Sequence, residues 1–220
     1  MNIFSVREND VLRDKKWWLF LKYARIFQYI PFIEFAFGAG SMALNTAHEE
    51  SDFDVIIGVR QGRIFTARFF AVLLFGLCGI RRSRIDHKGM AKNKICLNHF
   101  VTKNTYKLSP PYTDYSKKLY AQIVPLYGEK EKFREFYLAN NWLNENLVYE
   151  NDMRHKLFRP KWPASIMMFL GGGFIGDKIE NILKYFELKR MRLNLNKTNI
   201  GYNSRIKFLD EELEFHPNPK

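Results

Sequence analysis

Apolar positions recur with different periods along the first half of this chain. Across residues 17–29, Phe20, Tyr23, Ala24 and Phe27 fall at i, i+3, i+4 and i+7, which predicts an amphipathic leading helix. Across residues 31–37 the pattern changes to a dense run of Phe and Ile that stops at Gly38, as a buried strand does. A glycine turn, Gly38 to Ser41, then leads into MALNTAHEE, a short segment of good helix formers. Residues 53–59 (FDVIIGV) are β-branched and apolar and predict a second core strand ending in the polar turn RQG.

The apolar run at residues 64–77 is long enough for a helix, with Gly79 as its stop, and KICLNHFVT predicts a third strand with a mixed in-and-out pattern. Ser109, Pro110 and Pro111 interrupt any regular element, because proline lacks the amide donor and restricts the residue before it. A boundary is therefore expected there, with a core and its leading helix in residues 1–110 and a helical domain in 111–220. Helices are expected over residues 115–124, 130–146 and 176–193, the last with Ile179, Ile182, Leu183 and Phe186 on one face. The expected class is α/β (α+β), a small mixed sheet followed by a mostly helical C-terminal domain, with the ligand cleft between them.

With 46% apolar residues in 220, 20 of them Phe, the chain can bury a core, and it contains no polar low-complexity run that would argue for disorder. A formal charge of +12 points to polyanionic partners: triphosphates, nucleic acid or an anionic membrane surface. Cys78 and Cys96, the only cysteines, make no disulfide framework and suggest a reducing compartment. The charged N-terminus lacks the apolar centre of a signal peptide, so the reading is cytoplasmic. Two apolar stretches, residues 64–80 and 163–175, fall short of the roughly 20 residues of a bilayer-crossing helix. They are expected to be buried core helices, and no membrane partner is expected; a membrane-surface protein anchored by these segments and the basic charge is the further alternative.

Chemistry is concentrated in GAGSMALNTAHEESDFDVIIGV. Gly40 lets the backbone approach a phosphate closely, and Ser41 adds a hydroxyl donor to the same phosphate. Asp52 and Asp54, two apart on a strand, place both carboxylates on one face, where hard oxygen ligands suit magnesium.

This segment resembles the DNA polymerase beta-like nucleotidyltransferase superfamily, especially its minimal members, whose pattern is Gly-Ser, a spacer and Asp-x-Asp. Here Ser41 is followed eleven positions later by Asp52 and then Asp54, with Ser51 just ahead. The resemblance covers about residues 32–101 and implies a sheet of nucleotidyltransferase type. It also implies transfer of a nucleoside monophosphate from a nucleoside triphosphate to a hydroxyl-bearing acceptor, nucleic acid being one candidate, with release of pyrophosphate. Gly40 and Ser41 would then bind the nucleotide, and Asp52 and Asp54 would hold two Mg2+ ions and serve catalysis. The family takes a third carboxylate from the next strand, where this chain offers Asn98; Asp86 is the only nearby acid, and either residue or neither fills that position. A catalytically weak or inactive nucleotide- or nucleic-acid-binding module of the same fold is the alternative that this departure raises.

Other signals have plainer readings. The basic loop of Arg81, Arg82, Arg84, Lys88, Lys92 and Lys94 reads as a solvated loop or as a set of phosphate contacts. Cys96 and His99 have a spacing seen in metal sites but no companion pair in the sequence, and read as core. Gly171 to Gly173 reads as a hinge or a close helix contact.

Overall fold

The computed structural model describes residues 3–83, 91–108, 113–143, 160–196 and 206–215. In chain order the elements are α1 (Ile3–Ala24), β1 (Ile33–Gly38), α2 (Gly40–Ala43), β2 (Phe53–Val59), α3 (Ile64–Leu77) and β3 (Ile95–Val101). They continue with α4 (Asp114–Ala121), β4 (Val124–Gly128), α5 (Lys130–Ala139), α6 (Trp162–Leu170), α7 (Phe174–Asn196), β5 (Ile206–Phe208) and β6 (Glu212–Phe215). The strands make one six-stranded mixed sheet in the order β4-β1-β2-β3-β6-β5, so the chain has the mixed α+β architecture expected. β2 and β3 are parallel and are joined through α3, while the other neighbouring pairs are antiparallel. That crossover is what parallel neighbours require, since a tight turn cannot join them.

Each face of the sheet carries its own aromatic layer. On one face Val55, Ile57, Leu97 and Phe100 pack with Phe20 and Phe27 from the leading helical segment and with Phe65 and Phe75 of α3. On the other face Phe35, Phe37, Ile56 and Val101 meet Phe133, Phe136 and Tyr137 of α5. Each fully buried ring contributes about 1.5–3 kcal/mol, which is why the Phe-rich strands of this sequence settle at the centre. β3 carries an irregularity: Asp54 faces Cys96 while Ile56 faces His99, so two residues on β2 span three on β3. The extra residue keeps Leu97 and Phe100 in the same apolar layer and turns Cys96 and His99 toward the opposite face.

α3 ends as its sequence predicts. Gly79 adopts φ +70°, its amide donates to the Gly76 carbonyl, and the Ile80 amide donates to Phe75, a Schellman closure that only a residue tolerant of positive φ makes cheaply.

The second half of the chain departs from its periodicity. Residues 115–124 divide into a helix ending at Ala121 and the strand β4, whose Pro125 is tolerated because β4 lies at the sheet edge. β5 and β6 close the opposite edge, so the sheet draws strands from both sides of the boundary expected at Ser109 to Pro111.

α7 turns most of its apolar stripe outward. Its face toward α3 carries Glu180, Glu187 and Met191, whereas Ile179, Ile182 and Phe186 are exposed and Leu183, the fourth residue of the stripe, packs partly against the core. The reason lies on α3: Glu180 accepts the Phe65 and Thr66 amides at 2.8 Å and the Thr66 hydroxyl at 2.6 Å, and Glu187 pairs with buried Arg68. These carboxylates need partners that α3 supplies, and satisfying them turns the apolar stripe outward. The core reading of residues 163–175 is corrected in the same way, since in α6 only Ala164 is buried. Residues 64–77 do form a core helix. Among the described residues, no helix is long and apolar enough to cross a membrane.

Candidate active site

β1 delivers the chain to a sharp turn at Ala39 and Gly40. Gly40 has φ +63°, and a Cβ built on it would lie 2.0 Å from Asp54 Oδ2, so both the backbone conformation and the neighbouring carboxylate demand glycine. The Ala39 amide donates to the Asp54 carbonyl at 2.9 Å, locking the turn to β2. Ser41 follows in the single turn α2, half-buried, and its carbonyl accepts the Thr46 amide at 3.0 Å. The four residues expected at the site, Gly40, Ser41, Asp52 and Asp54, therefore converge at one end of the central strands.

The approach to the Asp pair is held by a residue that the sequence pattern did not single out. Lys16 of α1 is buried and donates to the Ser51 carbonyl at 2.8 Å and to Asn93 Oδ1 at 2.7 Å. Burial, and then the neighbouring Lys92 charge, lower its pKa. The Ser51 hydroxyl accepts the His48 amide at 3.0 Å, and the Asn93 amide donates to the Ser51 carbonyl at 3.1 Å. Two loops are thereby tied together immediately before Asp52. His48 itself is exposed.

Asp52 lies just before β2 and Asp54 within it, paired across the parallel ladder with Cys96. Donor atoms of Asp52, Asp54 and Cys96 all lie within 4.8 Å of one another. Burial pushes the Asp54 carboxyl up to about 7, the Asp52 charge adds to the shift, and Arg82 and Cys96 only partly oppose it. Burial, followed by the two carboxylates, likewise drives the Cys96 thiol well above its usual range. Asn98 is close at hand, its amide donating to Cys96 Sγ. Among the described His, Cys and acidic residues, the one that joins the Asp pair within donor distance is Cys96, and Asn98 contacts its sulfur. Asp86, Arg84 and Lys88 lie outside the described residues.

Arg82 completes the group. Its Nη1 is 2.5 Å from Asp52 Oδ2 and 3.7 Å from Cys96 Sγ, so one member of the basic loop places its charge on the acids, while Lys92 pairs with Glu49. Sequence reading noted Arg82 as part of a basic run; only the contact gives it a place.

The donor set fits a divalent cation held by Asp52 and Asp54, two hard oxygen donors crowded enough to raise one pKa and already attracting a guanidinium. The third position is a soft sulfur donor rather than a carboxylate, and among the described residues no further acid joins the group.

Cys96 and His99, adjacent in the sequence reading, serve different clusters. His99 Nε2 lies 3.3 Å from Glu212 Oε1, with Glu214 in the same buried group and Lys207 2.8 Å from Glu212. Alternating Glu and apolar residues in ELEF were the available signal for this strand.

No protein-family model, curated protein or solved structure matches this chain.

Proposed function

We propose that the chain is a metal-dependent nucleotidyltransferase of the DNA polymerase beta-like type. It would transfer a nucleoside monophosphate from a nucleoside triphosphate to a hydroxyl-bearing acceptor and release pyrophosphate. The observation that carries this reading is the contact between turn and acid pair: Gly40 abuts Asp54 so closely that no side chain fits between them. A triphosphate on the Gly40–Ser41 turn would thus sit beside both carboxylates.

In this reading the bare backbone at Gly40 admits the phosphate, and the Ser41 hydroxyl donates to it. Asp52 and Asp54 would hold Mg2+, with Lys16 and Asn93 fixing the loops that aim them. When bound, the metal neutralises the triphosphate and stabilises charge on the attacking and leaving oxygens. The acceptor hydroxyl would release its proton to solvent as its oxygen bonds to the α-phosphorus, and the bond from that phosphorus to pyrophosphate would break with its electron pair leaving on the pyrophosphate oxygen. Arg82 would move from Asp52 to a phosphate oxygen, since its bidentate donors serve either anion. The cytoplasmic assignment and the choice among acceptors, nucleic acid included, belong to this proposal.

A second reading, a binding module with little or no turnover, is favoured by one specific observation: Cys96, and not a carboxylate, stands beside the Asp pair. A neutral thiol adds no negative charge to hold a second Mg2+ and is a poor base at that position.

Calorimetric titration of each nucleoside triphosphate, with and without Mg2+, into the native chain and an Asp52→Asn, Asp54→Asn double variant tests the site. Magnesium-dependent binding that the variant loses by at least about tenfold is expected, a difference of about 1.4 kcal/mol. Absence of binding to the native chain would overturn both readings.

A further inference from the structure

The exposed face of α7 has no role in the nucleotide site. Ile175, Ile179, Ile182, Phe186 and Leu193 follow one another at helical spacing along it, and Ile175, Ile182 and Phe186 are 67%, 56% and 61% exposed. This row runs about 27 Å along the helix. At its start the α6–α7 turn presents Phe169, 86% exposed, beside Leu170 and Phe174. Scattered exposed apolar residues are ordinary, but a continuous row of large ones marks a surface made to be covered.

Charge identifies what covers it. All three acids of α7 are engaged away from this row: Asp177 pairs with Arg63 at 2.7 Å, Glu180 caps α3, and Glu187 pairs with Arg68. Lys178, Lys189 and Arg190, all exposed, flank the row, and the Lys178 ammonium lies 4.5 Å from the centre of the Phe174 ring. A second copy of this chain would bring the same cations against themselves, with no α7 acid on that face to meet them. Nucleic acid would satisfy the cations but leave the isoleucine row in water. An anionic lipid surface satisfies both, with apolar side chains among the acyl chains and cations at the headgroups.

The turn is also held in place. Arg63 donates from Nε to the Gly171 carbonyl at 2.8 Å and pairs with Asp177, and Gly176 packs so closely on the turn that a Cβ there would lie 1.9 Å from the Gly171 oxygen. The apolar tip is thus presented on a fixed scaffold, with little conformational freedom to lose on docking.

We propose that α7, led by the α6–α7 turn, is an interfacial docking surface for anionic phospholipid bilayers, lying in the plane of the headgroups and not crossing the membrane. The expectation of no membrane partner rested in part on residues 163–175 being core, and the exposure of α6 removes that part of its ground.

Sedimentation with vesicles of phosphatidylcholine alone, or containing about 30% phosphatidylserine, tests this. The native chain should bind the anionic vesicles at least about tenfold more tightly than the neutral ones, and less tightly as salt rises. An Ile182→Glu, Phe186→Glu variant should lose binding to both. A Lys178→Glu, Lys189→Glu, Arg190→Glu variant should lose the preference for the anionic ones. Because these side chains are exposed, circular dichroism and nucleotide titration should match the native chain, which separates failure of this proposal from failure of the nucleotide site. Native binding to anionic vesicles no stronger than that of the apolar-face variant would overturn it. So would a vesicle-free dimer that the same variant dissociates.

Discussion

Asp54 has neighbours that pull its proton in opposite directions. Burial and the Asp52 charge raise its carboxyl to about 7, while Arg82 and Cys96 favour the anion. Only the ionised carboxylate holds a cation, so Mg2+-dependent triphosphate binding should tighten as pH rises, by about tenfold between pH 6 and pH 8, with release of a proton. Stability runs the other way. The folded, metal-free chain binds this proton more tightly than the unfolded one, so the group's favourable contribution is complete below the ordinary carboxylate value of 3.8 and is lost as pH rises through about 7. Asp54→Asn should abolish the pH-dependent binding and flatten this part of the stability profile. Calorimetry in two buffers of different ionisation enthalpy, with urea unfolding across the same pH range, measures both. Binding that is flat from pH 6 to pH 8 in the native chain would count against the assignment of Asp54 as the cation ligand. Gly40, Ser41, Asp52 and Asp54 could all be named from the sequence because they are contiguous or regularly spaced. Lys16, Arg82 and Cys96 could not, because they come to the site from 35, 30 and 42 positions away along the chain.

Among elements, α3 and α7 are joined by two polar contacts, Glu180 on the first amides of α3 and Glu187 on Arg68. The first amides of a helix have no partner within it, and in α3 those of Phe65 and Thr66 are satisfied by Glu180 from another helix. A carboxylate at that end also meets the positive pole of the helix dipole. Glu180→Ala should therefore cost about 2 kcal/mol by urea unfolding, whereas Asn181→Ala, on the exposed side of the same turn, should fall within about 0.5 kcal/mol of the native value. Equal effects would mean that α7 is not seated on α3 as described. This arrangement also explains why helical periodicity located α7 and its apolar stripe but not the direction in which most of that stripe faces. Periodicity reports where apolar side chains line up, and it carries no information on whether the neighbouring helix offers hydrocarbon or unpaired amides.

For the molecule as a whole, closure of the sheet depends on the short β5–β6 hairpin. It pairs with β3 at His99, Phe100 and Val101, and buries Glu212 and Glu214 beside His99 and Lys207. Burial alone would raise the Glu212 carboxyl, but the hydrogen bonds from His99 and Lys207 outweigh it and hold the carboxyl below its ordinary 4.5. A depressed folded value contributes stability that is present above 4.5 and is lost as pH falls through the folded value. Glu212→Gln should thus be destabilised by at least about 1 kcal/mol at neutral pH, and its deficit should shrink as the native chain is acidified. Urea midpoints measured from pH 7 to pH 3 give the comparison, and a deficit that stays constant with pH would show that Glu212 contributes only by packing.

The sequence by itself determined the elements of the central motif. Dense apolar runs gave β1, bounded by Pro31 and Gly38, and β2 and β3 to within a residue or two, and Ile64–Leu77 emerged with its glycine stop, because local backbone chemistry and apolar period act over a few residues. It also placed Gly40 and Ser41 before Asp52 and Asp54, and in the fold the glycine of the turn touches the second acid of the pair. Tertiary structure decided what depends on distant partners. It split residues 115–124 into α4 and β4, since an open sheet edge beside β1 can recruit a short apolar segment that periodicity counts as helix. It chose Cys96 to stand beside the acids through the register of the parallel β2–β3 ladder, which pairs Asp54 with Cys96 and which no spacing rule announces. It turned the isoleucines of α7 to the surface because two glutamates had to be satisfied inside, and the free energy of an unpaired buried carboxylate outweighs that of an exposed aliphatic row.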